Sequence, residues 1–317
     1  MLRRMVDTPA PPETLHHYTT AAGLLGIVEP VRLGAFSERS PDMQSVPRTR
    51  SIALWATDAR FLNDSAELRY AAPVLADKIE ALLPPIDQVS DETTTRIGTV
   101  AARLRAGEFI GEGFEEGAMH TAYVTSFCRD GDLLSQWRGY GSSGGGYSVE
   151  FRTDALRELN FPFGQAGNDE VGYIGGSMLQ QVVYGMDEEA LDAAARELVH
   201  PDRYIPSMTA AVAVLARFKD PAFSEENEWR LIRAAGTYAM ACRYRPSSTG
   251  AVVPYIQLHR FHWDKPHDAF AVASAIKSVT VGPGPDTAIR RDSVLQLMQQ
   301  RGFRDVEVYT SAIPFRG

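Results

Sequence analysis

Four short polar clusters in this chain combine residue types that catalyse reactions or bind ligands. They are HHYT (16–19), FLNDSAEL (61–68), LSQWRGYG (134–141) and SEENEWRLIR (224–233). Histidine changes its charge near neutral pH and can serve as a base, a metal ligand or a hydrogen-bonding group. Carboxylates supply general acids and bases, and an arginine beside aromatic rings can hold a flat anionic ligand. The four clusters therefore predict a polar site, provided that the fold brings them together.

The two acidic clusters also have structural interpretations. In FLNDSAEL, residues 64–65 can cap a helix, with Glu67 in its first turn, or they can border a site as a polar network. In SEENEWRLIR, Glu226, Glu228 and Arg230 stand at alternate positions and would share one face of a strand. Such a row is commonly solvated, with the arginine paired to a glutamate. Taken alone, neither cluster identifies a site.

The aromatic cluster is similarly ambiguous. Trp137 and Tyr140 can belong to the core, or they can act with Arg138 to hold a flat base and an anionic group. The glycine-rich segment GYGSSGGGY (139–147) lacks the GxxxxGK[ST] spacing of a phosphate-binding loop and does not lead from a strand into a helix. A flexible turn that lets a ligand approach the backbone is the favoured interpretation.

Several chemistries lack their motifs. Cys128 and Cys242 form no CxxC pair, no HExxH is present, and the spacing in LHRFHWDKPH (258–267) is looser than a zinc motif, so no metal is expected. No GxSxG nucleophile elbow appears either, which argues against a serine hydrolase.

The composition is that of an ordinary globular protein, with 317 residues, 44% hydrophobic and 23% charged, and a formal net charge of -8. This acidic balance argues against a whole-surface nucleic-acid footprint. No apolar run follows Arg3 and Arg4, and no window of 18 apolar residues exists, so we expect neither a signal peptide nor a membrane span and predict a cytoplasmic protein.

Hydrophobic periodicity and capping residues predict the elements that must position these clusters. Strands are predicted at 51–57, 121–128, 146–151, 179–185, 227–234, 252–258, 276–283 and 306–311. Helices are predicted at 20–29, 63–85, 90–106, 132–141, 153–159, 187–200, 205–219 and 287–302.

Strands predominate after residue 121 and do not alternate strictly with helices, which predicts an α+β fold with mainly antiparallel sheets and interspersed helices. We expect a loose tail over 1–12 and one domain over 13–317, with a mobile loop at 36–50 and helical insertions near 64–106 and 186–219.

The ordered set of motifs resembles a bacterial family, the domain of unknown function 2971 family. The similarity runs through HHYT, LWAT…FLNDSAE, TSFCRDGDLLSQWRGYG…GGGYSVEF, EENEWRLI, IKSVTVGPG and VYTSAI, over roughly residues 13–313. Each motif is weak alone, whereas their order is specific. The family description implies no activity.

A weaker resemblance does imply one. A His-Tyr-Thr at the end of a first strand, a following helix and a late glutamate on a strand are similar to the layout of ADP-ribosyltransferase-like proteins. The resemblance implies that His17 positions the NAD ribose and that Glu228, preceded by Glu226 in an E-x-E, supports cleavage of the nicotinamide–ribose bond. The superfamily's Ser-Thr-Ser triplet is missing, and only TSF (125–127) stands in its place.

The chemistry gives these residue types a reason. Cleavage passes through an oxocarbenium-like state, which a carboxylate on the ribose 2′-hydroxyl stabilises, and a neutral imidazole can orient the sugar. With His17 and Glu228 as the catalytic pair, the predicted NAD-binding residues are Tyr18, Thr19, Asn63, Glu67, Ser126, Gln136, Arg138, Tyr140, Glu226 and Arg230. NAD is the expected co-substrate, with Tyr18 or Tyr140 on nicotinamide and Arg138 on the pyrophosphate.

Two other classes fit the same residues. One is a metal-dependent nuclease or a glycosidase acting on a nucleotide or nucleic acid, with Glu228, Glu67 and Asp64 as acid and base. The other is a non-catalytic module that binds NAD or another nucleotide as a sensor. The resemblance implies a bacterial toxin or anti-phage effector with an antitoxin or defence-system partner, and it leaves the acceptor macromolecule open.

Overall fold

The structure is a computed structural model of the chain. It describes residues 10–29, 52–64, 66–82, 91–111, 117–140, 145–163, 172–175, 178–199, 207–236, 242–247, 250–260 and 274–314. Most of the predicted tail over 1–12 and the predicted loop over 36–50 lie outside these ranges.

The described residues form fourteen strands and eight α-helices. The strands are β1 (Thr14–Thr19), β2 (Ile52–Asp58), β3 (His120–Cys128), β4 (Tyr147–Arg152), β5 (Asn160–Phe163), β6 (Gly172–Gly175), β7 (Met178–Gln181), β8 (Val183–Tyr184), β9 (Phe218–Lys219), β10 (Glu228–Gly236), β11 (Arg243–Pro246), β12 (Val252–Arg260), β13 (Ile276–Val281) and β14 (Glu307–Thr310). The helices are α1 (Ala21–Ile27), α2 (Ala72–Ala81), α3 (Asp91–Ala106), α4 (Leu134–Tyr140), α5 (Thr153–Arg157), α6 (Glu188–Leu198), α7 (Met208–Leu215) and α8 (Thr287–Gln300).

Twelve of these strands form one sheet, in the order β14-β13-β4-β1-β3-β2-β12-β5-β6, with β10 paired to β3 and β7, and β11 paired to β12. Nearly all pairs are antiparallel; β13 with β14 is a parallel pair, as is the separate β8–β9 pair. The prediction of an α+β fold with a mainly antiparallel sheet is therefore confirmed.

Strand β3 is the centre of this sheet. Strand β10 pairs with its whole length on one edge. On the other edge, β1 pairs near the carboxyl end, at His16↔Cys128, whereas β2 pairs further back, at Thr57↔Val124. Strands β1 and β2 therefore pair with different parts of the same edge of β3, and helix α1 lies between them in the chain.

The two faces of the sheet bury separate hydrophobic cores. On β10, Trp229 and Leu231 join one core with residues of α1 and α8. The alternate residues Ile232 and Ala234 join the other core, with α2, α3, α6 and α7. Eight of the nine residues of the strand are buried because both faces are covered.

The sequence located most elements but misjudged some boundaries. Helix α1 begins after Thr20, whose hydroxyl accepts from the N–H of Gly23, as the capping residues predicted. The helix predicted over 63–85 is wrong in its first turns: α2 begins only at Ala72, with a proline in its first turn, and Asp64 instead accepts from the backbone N–H of Ala66.

No helix in the described part of the chain is both long and apolar enough to cross a bilayer.

Candidate functional site

Strand register places the predicted catalytic pair on opposite faces of the sheet. Glu228 lies opposite Cys128, Cys128 opposite His16, and His16 opposite Glu150, so these four side chains share one face. His17 follows His16 on the same strand and therefore points to the other face. The histidine that faces the same way as Glu228 is His16, which the sequence analysis did not select.

His17 connects two strands where they diverge. Its Nδ1–H donates to the backbone carbonyl of Ser126 at 2.8 Å, and its ring lies 5.7 Å from that of Phe127. Burial lowers the pKa of His17, although the hydrogen bond to Ser126 opposes this. A neutral imidazole thus satisfies a carbonyl of β3, and the geometry gives His17 a structural contact and no route to Glu228.

Tyr18 supports the loop that follows β3. Its hydroxyl accepts from the N–H of Leu133 at 2.8 Å and donates to the carbonyl of Asp130 at 3.0 Å. Its ring packs edge-on against Trp137, with centroids 4.8 Å apart, and is 3% exposed. Burial raises the pKa of Tyr18. The geometry fixes the loop in place and leaves little of the ring free for a nicotinamide.

Five charged residues, hereafter the buried charge cluster, connect β10 to its surroundings. They are Glu67, Lys219, Glu226, Glu228 and Arg230. The Nε of Arg230 donates to Glu228 Oε1 at 2.8 Å and its Nη2 to Glu228 Oε2 at 3.1 Å, a two-point pairing. Its Nη1 contacts Glu67. Lys219 Nζ donates to Glu226 at 2.7 Å and to Glu228 at 3.0 Å.

Four of the residues predicted for the site, Glu67, Glu226, Glu228 and Arg230, therefore meet in this cluster. The exposed fraction is 4% for Glu67, 2% for Glu228 and 1% for Arg230, so the row is not solvated. Both carboxylate oxygens of Glu228 accept hydrogen bonds inside the protein, so a ligand that enters from solvent cannot contact this side chain directly.

The cluster fixes the ionisation of its members. Burial alone would raise the pKa of Glu228, but the charges of Arg230 and Lys219, with hydrogen bonds, hold it at about 2. Burial opposes the charge of Lys219, yet Glu228 and Glu226 raise its pKa. For Glu67, burial outweighs its contact with Arg230 and raises the pKa. Glu228 is thus an anion at neutral pH, paired with two cations.

Glu226 is the member of the cluster that reaches the surface. It ends a 3-10 helix, Pro221–Glu226, and is not part of β10. Asn227 then adopts a left-handed conformation, with φ of 42°, and turns the chain into the strand. The side chain of Glu226 is 24% exposed while its carboxylate binds Lys219. The predicted strand-face alternation was therefore wrong for Glu226, although Lys219 still joins it to Glu228.

A cleft of about 510 Å³, hereafter the polar cleft, opens beside Glu226. Its lining residues are His16, Arg129, Asp130, Gly131, Leu133, Glu225, Glu226 and Asn227. Three carboxylates face one guanidinium in this lining, so the cleft favours a ligand that carries or develops positive charge.

His16 contributes an imidazole to the cleft wall. Its Nδ1 is buried and has no hydrogen-bond partner in the part of the chain that the structure describes. Gly131 packs directly on the ring, because a Cβ at that position would overlap Nδ1. Burial lowers the pKa of His16, while Glu150 and Asp130 oppose the shift. His16 is therefore a neutral ring at physiological pH that can donate or accept a hydrogen bond.

The remaining predicted residues do not line the polar cleft. Thr19 and Gln136 are buried at 8% exposure each, and Asn63 and Arg138 are exposed. The side chain of Tyr140 lies outside the described residues. Among the residues that the structure does describe, no three His, Cys, Asp or Glu side chains are placed to hold a metal ion.

Two residues of this region, His16 and Lys219, were not predicted from the sequence. The face of His16 could have been deduced from Leu15, because an apolar residue marks the core-facing side of a strand and His17 shares that side. Lys219 follows Phe218 in a two-residue strand, and no local pattern links it to residues seven and nine positions later. Only the fold brings it to the glutamates.

One comparison with known proteins matches part of the chain. A search of curated proteins found no match, and a search of solved structures found none. A family model described as "Protein of unknown function (DUF2971)" matches residues 136–231, which include most of α4, all of β4 and β7, and the start of β10. This match supports the assignment to the DUF2971 family that the motifs indicated.

Proposed function

We propose that this protein is an ADP-ribosyltransferase-like enzyme that cleaves the nicotinamide–ribose bond of NAD in the polar cleft. The supporting observation is the position of Glu226. It borders the cleft, and Lys219 joins it at 2.7 Å to the buried Glu228. In this proposal Glu226 contacts the ribose, while the buried Glu228 positions Lys219, which in turn holds the carboxylate of Glu226.

The charge of the cleft suits this reaction. The nicotinamide ring of NAD is a cation, and bond cleavage leaves positive charge on the ribose. Carboxylates that are fixed before the reaction stabilise such charge without reorganising. Asp130, which accepts from the N–H of Asp132 at 3.0 Å, and Glu226, which accepts from Lys219 at 2.7 Å, supply them, and Arg129 at the same cleft can bind the pyrophosphate. A volume of about 510 Å³ is within the range of small-molecule sites.

His16 takes the role that the resemblance gave to His17. Its neutral ring borders the cleft and can hold a ribose hydroxyl, whereas the His17 ring is engaged with β3. A His16→Ala variant is accordingly expected to raise KM for NAD, because it removes a positioning contact. No metal takes part in the proposed step.

The biochemical test is the release of nicotinamide from NAD by purified protein. We expect the Glu226→Gln variant to lose about a hundredfold or more of the activity, as is typical for removal of an acid–base or charge-stabilising group. The matched control is Glu225→Gln, which removes a neighbouring exposed carboxylate and should retain activity within about threefold. Release that needs added cell lysate indicates transfer to an acceptor, and release without lysate indicates hydrolysis.

A folded wild-type protein that releases no nicotinamide in either condition would refute the proposal. Under those conditions, a rise in Tm with NAD would identify a nucleotide-binding module without turnover.

The biological part of the proposal is that of a bacterial toxin or anti-phage effector. An enzyme that consumes NAD or modifies a cellular acceptor should slow growth when it is expressed. Glu226→Gln should relieve that effect and Glu225→Gln should not, as measured by growth curves at matched protein levels. If Glu226→Gln were as toxic as wild type, the effect on growth would not depend on the carboxylate of Glu226.

A further inference from the structure

A second cavity, hereafter the arginine groove, lies at the same end of the sheet as the polar cleft. Its volume is about 530 Å³, and the residues that matter here are Pro11, Pro12, Arg152, Arg157, Leu179 and Trp229. It shares no lining residue with the polar cleft. Trp229 is next to Glu228 on β10 and points to the other face, so the two cavities lie on different sides of that strand.

The groove contains two guanidinium groups that form no ion pair within the part of the chain that the structure describes. Arg152 uses its Nε to donate to the carbonyl of Ser274 at 3.2 Å. Arg157 is exposed on α5. Glu13 and Asp154 also line the groove, and Asp154 accepts from the backbone N–H of Ala155 at 2.7 Å. The free N–H groups of two adjacent arginines can therefore bind an oxyanion, for which the planar fork of arginine is suited.

The other wall of the groove is apolar and rigid. Leu179 is half-buried, whereas Trp229 is 3% exposed and lies mostly within the hydrophobic core behind it. Pro11 and Pro12 form the rim, and the hydroxyl of Thr153 donates to the Pro12 carbonyl at 2.6 Å, which fixes that rim to α5. An apolar wall beside free cations matches a ligand that has a ring at one end and a negative charge at the other.

We propose that the arginine groove is a second binding site, for a small aromatic anion of mononucleotide size. Its phosphate or carboxylate contacts Arg152 and Arg157, and its ring packs on Leu179 and on the rim formed by Pro11 and Pro12. This site is independent of the NAD chemistry proposed for the polar cleft.

The test is isothermal titration calorimetry with two probes, 5′-AMP for a phosphate and indole-3-acetate for a carboxylate, against adenosine and indole as neutral rings. We expect one of the two anions to bind at least about tenfold more tightly than its neutral counterpart, as one or two charge-assisted hydrogen bonds provide. Whichever anion binds identifies the oxyanion that the site takes.

Variants then locate the site. Arg157→Ala should weaken binding of that anion about tenfold, and Arg157→Lys, which keeps the charge but not the fork, should weaken it less. The matched control is Arg304→Ala, since Arg304 is an exposed arginine on the turn after α8. Glu226→Gln should leave this binding unchanged, which separates the groove from the cleft. Failure of both anions to bind the folded wild type, or equal binding to Arg157→Ala, would overturn the proposal.

Discussion

Replacement of Glu228 by glutamine should destabilise the protein strongly. Glu228 is 2% exposed and accepts hydrogen bonds from Arg230 at 2.8 and 3.1 Å and from Lys219 at 3.0 Å. The variant keeps the shape of the side chain but removes the carboxylate that Arg230 and Lys219 share, so that each buried cation loses one of its two carboxylate partners. Loss of one partner from a buried ion pair typically costs about 3–5 kcal/mol.

The pKa of Glu228 gives an independent magnitude. It moves from an ordinary value of 4.5 to about 2 in the folded protein. At about 1.4 kcal/mol per pKa unit, the folded state favours the carboxylate by roughly 3 kcal/mol. The two routes agree on a loss of about 3–5 kcal/mol in the free energy of unfolding, which is a large part of the roughly 5–15 kcal/mol available to a typical domain.

Urea denaturation followed by circular dichroism measures this loss by linear extrapolation. The control is Glu225→Gln, an exposed neighbour that should change stability by about 0.5 kcal/mol or less. The double variant of Glu228→Gln with Arg230→Met should be destabilised by less than the sum of the single variants, because the two residues act as a pair. A loss below about 1 kcal/mol for Glu228→Gln would show that the buried charge cluster contributes little to the stability of the fold.

Three further predictions concern the same region. The folded-state pKa of Glu228 is depressed to about 2, so the contribution of its carboxylate to the free energy of unfolding is complete above about pH 4.5 and is lost as the pH falls toward 2. Urea denaturation at pH 6 and at pH 3 should therefore show a smaller acid-induced loss of stability in Glu228→Gln than in wild type. Gly131→Ala places a Cβ against His16 and should cost about 1–3 kcal/mol in thermal unfolding, whereas an unchanged Tm would mean that the loop shifts freely. Trp137→Phe removes the 2.7 Å hydrogen bond from Nε1 to Asp132 and should cost about 1–3 kcal/mol, and a variant as stable as wild type would show that Ser311 and the N–H of Ala312 are sufficient to satisfy this carboxylate.

The sequence predicted the elements whose signal is local. Alternation and β-branched residues located β3 and β13, and Gly302, with φ of 85°, ends the last helix where its position predicted. Strands β5, β6, β9 and β11 were missed, since each has only two to four residues and is defined by pairing with distant segments. The positions of such short strands depend on the distant strands with which they pair, and local sequence propensity carries no information about those partners.

The candidate site was predicted in part for the same reason. The sequence selected Glu226, Glu228 and Arg230, and the structure places all three in one network. It did not predict that Lys219 would join them or that Asn227 would turn the chain between Glu226 and β10. Burial of the network depends on helices that cover this face, and a periodicity argument cannot distinguish a covered charged row from a solvated one.

The position of β3 also governs how the chain can acquire its fold. This strand, residues 120–128, must pair with residues near 16, near 57 and from 228 to 236. During synthesis, β1 and β2 leave the ribosome long before β3, and β3 itself waits for more than a hundred residues until β10 is available. Pairings so distant in sequence make folding slow and leave strand edges open in the meantime. A nascent chain with this order of strands should therefore depend on chaperones until β10 has emerged, and truncations that remove β10 should aggregate rather than fold in part.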